Sequence, residues 1–164
     1  MAGAALAWCC AIGSAVADEP SMPAPHPDFQ AMHVTFGRWA CTFHLITGKV
    51  VPVTGVTELS SDGRRAISHD PYGVYVSNLW YDAVQKLWIE TAIYTFDGLD
   101  FTATSRGWNG GSVVFNGLVT LRGQSLALRT TTTLVSHSQD RTVEEVQDPN
   151  GDWHTLDSSV CGNG

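Results

Sequence analysis

The chain has 164 residues, with 9 Lys and Arg against 16 Asp and Glu, a formal net charge of −7, 6 His, 16 Gly and 6 Trp. One domain is expected at this length, since domains run to roughly 100–200 residues. An acidic balance without any run of Lys or Arg lacks the electrostatic footprint that a phosphate backbone or an anionic membrane requires, which argues against nucleic acid as a partner. Hydrophobic residues at 43% against charged residues at 15% supply a core and exclude a disordered acidic segment.

Ala4 to Ala17 (AALAWCCAIGSAVA) is uncharged, apolar and small, and ends in Ala15-Val16-Ala17 ahead of Asp18-Glu19-Pro20. This is the pattern of the hydrophobic stretch and A-x-A cleavage site of a secretory signal peptide, so residues 1–17 are expected to direct export to the periplasm or the medium; the alternative is a buried N-terminal helix. The run is shorter than the about 20 apolar residues that a transmembrane helix takes, and no transmembrane segment is expected. Cleavage would remove Cys9 and Cys10 and leave Cys41 and Cys161. An even pair in an exported protein favours a disulfide. That bond would close a loop of about 120 residues and requires the first and last strands to be neighbours. No CxxC or HxxxH spacing accompanies the two cysteines, so no metal site is expected.

From Asp18 to Phe29 (DEPSMPAPHPDF), four prolines forbid a helix and favour an extended arm. A short helical turn is expected around Phe29 to Phe36, so that residues 18–36 form a leader and residues 37–164 the folded domain. Alternation and β-branched or aromatic enrichment between turn signals then predict strands over Gly37 to Ile46, Val50 to Leu59, Arg65 to His69, Gly73 to Tyr81, Lys86 to Tyr94 and Leu99 to Arg106. Further strands are expected over Ser112 to Leu121, Gln124 to Val135, Arg141 to Gln147 and Asp152 to Cys161. Strands at such short intervals, without crossover helices, exclude parallel α/β architectures and indicate an antiparallel meander. Closing that meander removes its exposed edges, and the Cys41–Cys161 link favours closure. The fold class read from the sequence is all-β: a closed antiparallel up-and-down barrel of 8–10 strands, wide enough for one small ligand.

Phe36-Gly37-Arg38-Trp39 has the GxW form found on the first strand of lipocalin-like barrels. Trp80-Tyr81-Asp82 followed by Lys86 and Trp88, and the late Arg129 strand followed by a Glu-rich strand and Asp152-Trp153, are similar to hairpins of a bacterial family of uncharacterised calycin-like barrel proteins, the DUF1579 type. The resemblance spans Gly37 to Cys161 and implies a barrel with an internal pocket, without carrying over any catalytic residue. The lipocalin pattern further implies that Trp39 packs across the closed end of the barrel beneath an Arg from a late strand, for which Arg129 is the best match.

Strand parity places either Leu126, Leu128, Thr130 and Thr132 or Ala127, Arg129, Thr131 and Thr133 inside. The first set is the more apolar and is the expected interior, which leaves Arg129 outward or at a barrel end. Aromatics with a polar tip suit ligand cavities, and Tyr75, Trp88, Tyr94 and Trp108 are the candidates, with Arg129 and His154 as polar groups that would orient a ligand. The competing reading is that most of these rings are core. His154 would be an axial haem ligand only on the resemblance to a nitrobindin-like barrel; a surface histidine is the default. On the last strand, placing Cys161 on the same face as Trp153 also places Thr155, Asp157 and Ser159 there, too polar a set for a dry core, so that face looks outward or lines a wet pocket.

No catalytic residue is identified: there is no GxSxG elbow, and Glu144 and Glu145, adjacent on one strand, face opposite ways. Phosphate loops and calcium-loop spacing are also absent, and no cofactor is expected. The function read from the sequence is an exported barrel that binds a small, mainly apolar ligand in its interior without catalysis. The alternative is a protein–protein module, such as a protease-inhibitor-like barrel, that engages a partner through residues 18–29. An enzyme working at the barrel mouth is the third reading, which a strongly perturbed carboxylate in the cavity would favour.

Overall fold

The computed structural model describes residues 28–95 and 98–163. The expected signal peptide (1–17) and the Pro-rich arm up to residue 27 lie outside the described residues. A short helix α1 (Asp28–Ala31) precedes strands β1 (Gly37–Leu45), β2 (Val50–Leu59), β3 (Arg65–His69), β4 (Tyr75–Asp82), β5 (Leu87–Tyr94) and β6 (Leu99–Ser105). There follow β7 (Trp108–Asn109), β8 (Ser112–Leu121), β9 (Gln124–Ser136), β10 (Gln139–Gln147) and β11 (Trp153–Asn163).

Each of β1 to β5 pairs antiparallel with its successor, as does each of β8 to β10; β11 returns to β1 and β6 pairs with β8. The result is a closed ten-strand antiparallel barrel, with the two residues of β7 continuing the line of β6 along β8. All ten expected strands are present; β10 begins two residues earlier and β11 runs on past Cys161. Turn chemistry fixes the hairpins: Arg122 and Gly123 both adopt positive φ, the conformation of the two-residue turn whose twist matches β8 and β9.

Cys41 and Cys161 are direct register partners across β1 and β11 and are joined by a disulfide. The inward set on β9 is Leu126, Leu128, Thr130 and Thr132, as the apolar parity predicts. On β11 a bulge at Leu156 breaks the alternation, because Glu144 pairs with Asp157 and Glu145 with Thr155. Beyond it Asp157 and Ser159 are buried and Cys161 faces inward, the wet-pocket alternative, while Trp153 and Thr155 before it face outward, so the single face expected for all five is split.

The two halves of the interior differ. Toward the β1–β2 and β8–β9 turns it is filled by apolar side chains, among them Leu99, Val119, Leu128 and Leu156. Toward the β9–β10 hairpin it is hollow. Helix α1 covers part of that open end: Phe29 packs on Trp88 with ring centroids 5.6 Å apart, and Trp108 Nε1 donates to the Met32 carbonyl at 2.9 Å.

Neighbouring strands approach closely at two glycines, Gly55 against the His69 carbonyl and Gly117 on the β6–β8 seam that closes the barrel. Gly117 on β8 lies opposite Ala103 on β6, and a Cβ there would overlap the Thr102 carbonyl oxygen and the Ala103 backbone. Gly117→Ala is therefore expected to destabilise the protein by about 1–3 kcal/mol, since the obstructing atoms are main chain and have little freedom to move. Urea unfolding measures this, and an unchanged midpoint would rule out the close approach.

Candidate functional site

The hollow half is a cavity of about 810 Å³, opening between the His33–Thr35 segment and the β9–β10 hairpin. Period-two alternation sends one side chain in two to its wall. Strand β1 contributes Trp39, Cys41 and Phe43; β4 Tyr75, Ser77 and Leu79; β5 Glu90 and Tyr94; β9 Thr130 and Thr132; and β10 Asp140, Thr142 and Glu144. Four aromatic rings form a continuous series: Trp39 meets Tyr75 edge-on at 5.7 Å, Tyr75 meets Tyr94 at 5.0 Å, and Tyr94 meets Phe43 at 5.9 Å. The Trp39 ring lies over Gly55, where any Cβ would collide with it.

The remainder of the wall is polar. Tyr75 donates to Ser77 Oγ at 2.8 Å, Tyr94 donates to Glu144 Oε1 at 3.3 Å, and the Thr57 and Ser68 hydroxyls bond at 2.8 Å. Glu144 is 2% exposed and Asp157, its partner across β10 and β11, 4%. Burial pushes the Glu90 carboxyl up to about 7 and the Asp140 carboxyl up to about 6. Burial also raises the Tyr75 and Tyr94 phenols, helped by the charges of Glu90 and Glu144 respectively. Among the described residues no Lys or Arg lines the cavity; its basic side chains are His33 and His137.

These shifts have a definite sign. Glu90 and Asp140 hold protons more tightly folded than unfolded, so their contribution is fully present below about pH 4 and is lost as pH rises through about 6 to 7. Glu90 alone contributes at most about 3 kcal/mol of this fall. Glu90→Gln is expected to raise stability at pH 8 and to flatten the decline between pH 5 and 8. Urea unfolding at both pH values measures it; a wild type that gains stability over this range, unaltered by the substitution, would contradict the burial of Glu90.

Of the residues expected to bind ligand, Tyr75 and Tyr94 are in the wall and in mutual contact. Trp88 is not: it faces the interior but is 4% exposed and packed between Phe29 and Tyr81, closed off from the cavity because α1 folds down onto it. Trp108 does not line the cavity either; its indole anchors α1 and meets the His33 ring at 5.0 Å. Arg129 points outward, its Nε 2.8 Å from Glu145 Oε2 and its guanidinium 4.4 Å from the Trp153 ring centre. His154 sits on the outer side by the β10–β11 turn, 3.0 Å from Asp148 Oδ2, and does not line the cavity. Trp39 is at the open end of the barrel rather than across the filled end, and Arg129 does not cover it, because parity turns the arginine away.

Sequence reading missed Glu90, Asp140 and Glu144 as cavity groups, and placed Thr130 in the interior without assigning it to a site. A signal was present for Glu90, which shares the parity of Trp88 and Tyr94. For Asp140 the signal was weaker, since it precedes the expected start of its strand at Arg141. No three or more His, Cys, Asp or Glu side chains converge as metal ligands among the described residues, and no described helix is long and apolar enough to cross a membrane. No protein-family profile matches the sequence, and no curated protein sequence matches it either.

Proposed function

We propose that this is an exported barrel of calycin-like type that holds a small molecule non-covalently in its open half. One observation carries the reading: the open half is a cavity of about 810 Å³ whose wall joins the rings of Trp39, Phe43, Tyr75 and Tyr94 to the polar side chains of Glu90, Thr132 and Asp140. A volume of about 810 Å³ is within the usual range for small-molecule sites. The mixed wall replaces the expectation of a mainly apolar ligand with one that has an apolar body and polar groups. The disulfide is compatible with an oxidising compartment.

Native mass spectrometry of the protein purified from its own host, followed by denaturing extraction, tests this. A small molecule retained in the native spectrum and released intact on denaturation is the expected result. An apo mass, together with failure of the small-molecule probes described below to bind, would count against the reading.

A second reading, acid–base catalysis in the same cavity, is favoured by Glu90, whose carboxyl at about 7 is poised for proton transfer near neutrality. Recovery of a bound molecule chemically altered after prolonged incubation would favour it. The partner-binding arm of residues 18–29 lies almost wholly outside the described residues. Its end is not available to a partner, since Phe29 is buried under Trp88.

A further inference from the structure

We infer that the ligand of this cavity is an organic cation, an amine or guanidine on a compact apolar body, held by Glu90 and Asp140 against the faces of Trp39, Tyr75 and Tyr94. The inference rests on the binding reading above and names its chemical class.

Charge comes first. Glu90 and Asp140 line the cavity, and each is displaced by burial alone, with no hydrogen-bonded or charged neighbour offsetting it. A carboxylate in such a place is costly unless a counter-charge accompanies it. The protein supplies none: its wall carries no Lys or Arg among the described residues, and its nearest arginine in sequence to Asp140, Arg141, is on the opposite parity of β10. The ionisable groups that share the interior with Glu90 are Tyr75 on β4, Tyr94 on β5, Asp140 and Glu144 on β10 and Asp157 on β11, while β6 presents none; the basic groups of the wall are the imidazoles of His33 and His137, both exposed at its mouth. A cation entering this space gains attraction from every one of its ionised carboxylates.

The second observation is independent of charge. Trp39, Tyr75 and Tyr94 line the same cavity as the two carboxylates and stand in ring-to-ring contact with one another. Aromatic faces attract cations through the ring quadrupole, most strongly when water is excluded. A bare metal ion is a poorer fit, because no three ligating side chains converge among the described residues.

Calorimetric titration of the oxidised protein with phenethylamine, phenethyl alcohol and hydrocinnamate tests the inference, since the three share a ring and a short arm and differ in charge. At pH 8 the amine is expected to bind about tenfold or more tighter than the alcohol, and the carboxylate more weakly than both. At pH 5, with Glu90 and Asp140 protonated, the preference should largely vanish, and near pH 6.5 amine binding should release protons to the buffer. Glu90→Gln and Asp140→Asn should each reduce the preference at pH 8 while preserving affinity for the alcohol, which also reports that the variant is folded. If the alcohol or the carboxylate binds as tightly as the amine, the charge inference falls and the binding barrel stands. If none of the three binds at millimolar concentration, both fall.

Discussion

Replacing Cys41 and Cys161 together by alanine is expected to lower the free energy of unfolding by up to about 4–5 kcal/mol, because the bond closes a loop of 120 residues and so restricts the unfolded chain. Much of that effect acts on the unfolded state. The native barrel should keep its far-ultraviolet spectrum, since β1 and β11 remain joined by their backbone ladder from Trp39 to Leu45. Urea unfolding with and without reductant measures the difference, and wild type under reductant should match the double variant. An effect below about 1 kcal/mol would mean that the unfolded chain is already compact around this strand pair.

Trp88→Ala is expected to cost about 3–5 kcal/mol, the usual range for a buried Trp or Phe cut back to alanine. Trp88 supports two neighbours at once, Phe29 from α1 and Tyr81 from β4, so truncation leaves a void that neither backbone can close. Helix α1 should loosen with it, and the Trp108 indole, bonded to the Met32 carbonyl, should become exchangeable. At temperatures where the variant is folded, its affinity for phenethyl alcohol should change less than about threefold, because Trp88 is packed under α1 and does not line the cavity. A folded variant with lost affinity and unchanged stability would reverse the assignment and put Trp88 in the site.

The architecture was legible because antiparallel strands write their pattern locally. Val113, Phe115 and Val119 alternate with exposed positions on β8, and Leu99, Phe101 and Ala103 do so on β6, so parity alone oriented them. The two cysteines carried the one long-range constraint, and it placed β1 beside β11. Parity also oriented Arg129, whose outward position contradicts the role suggested by the lipocalin-like pattern. The site was much less legible. Which end of a barrel is hollow depends on how inward side chains from ten strands stack in layers, and that is a property of shear rather than of any one strand. Trp88 and Trp108 were attractive as ligand groups by residue type, yet the helical turn before β1 seals them in. The acidic wall escaped notice because Glu90, Asp140 and Glu144 sit on strands far apart in sequence, and the bulge at Leu156 reset the parity of Asp157.

The open half of the barrel as a ligand site is tested most directly by amide and indole NMR of the oxidised protein titrated with phenethylamine at pH 8. Saturable shifts are predicted at Glu90, Thr130 and Asp140 and at the Trp39 indole, with the outward Arg129 and Glu145 region unaffected. Perturbation confined to the outer face, or no saturable shift at the interior positions, would contradict it.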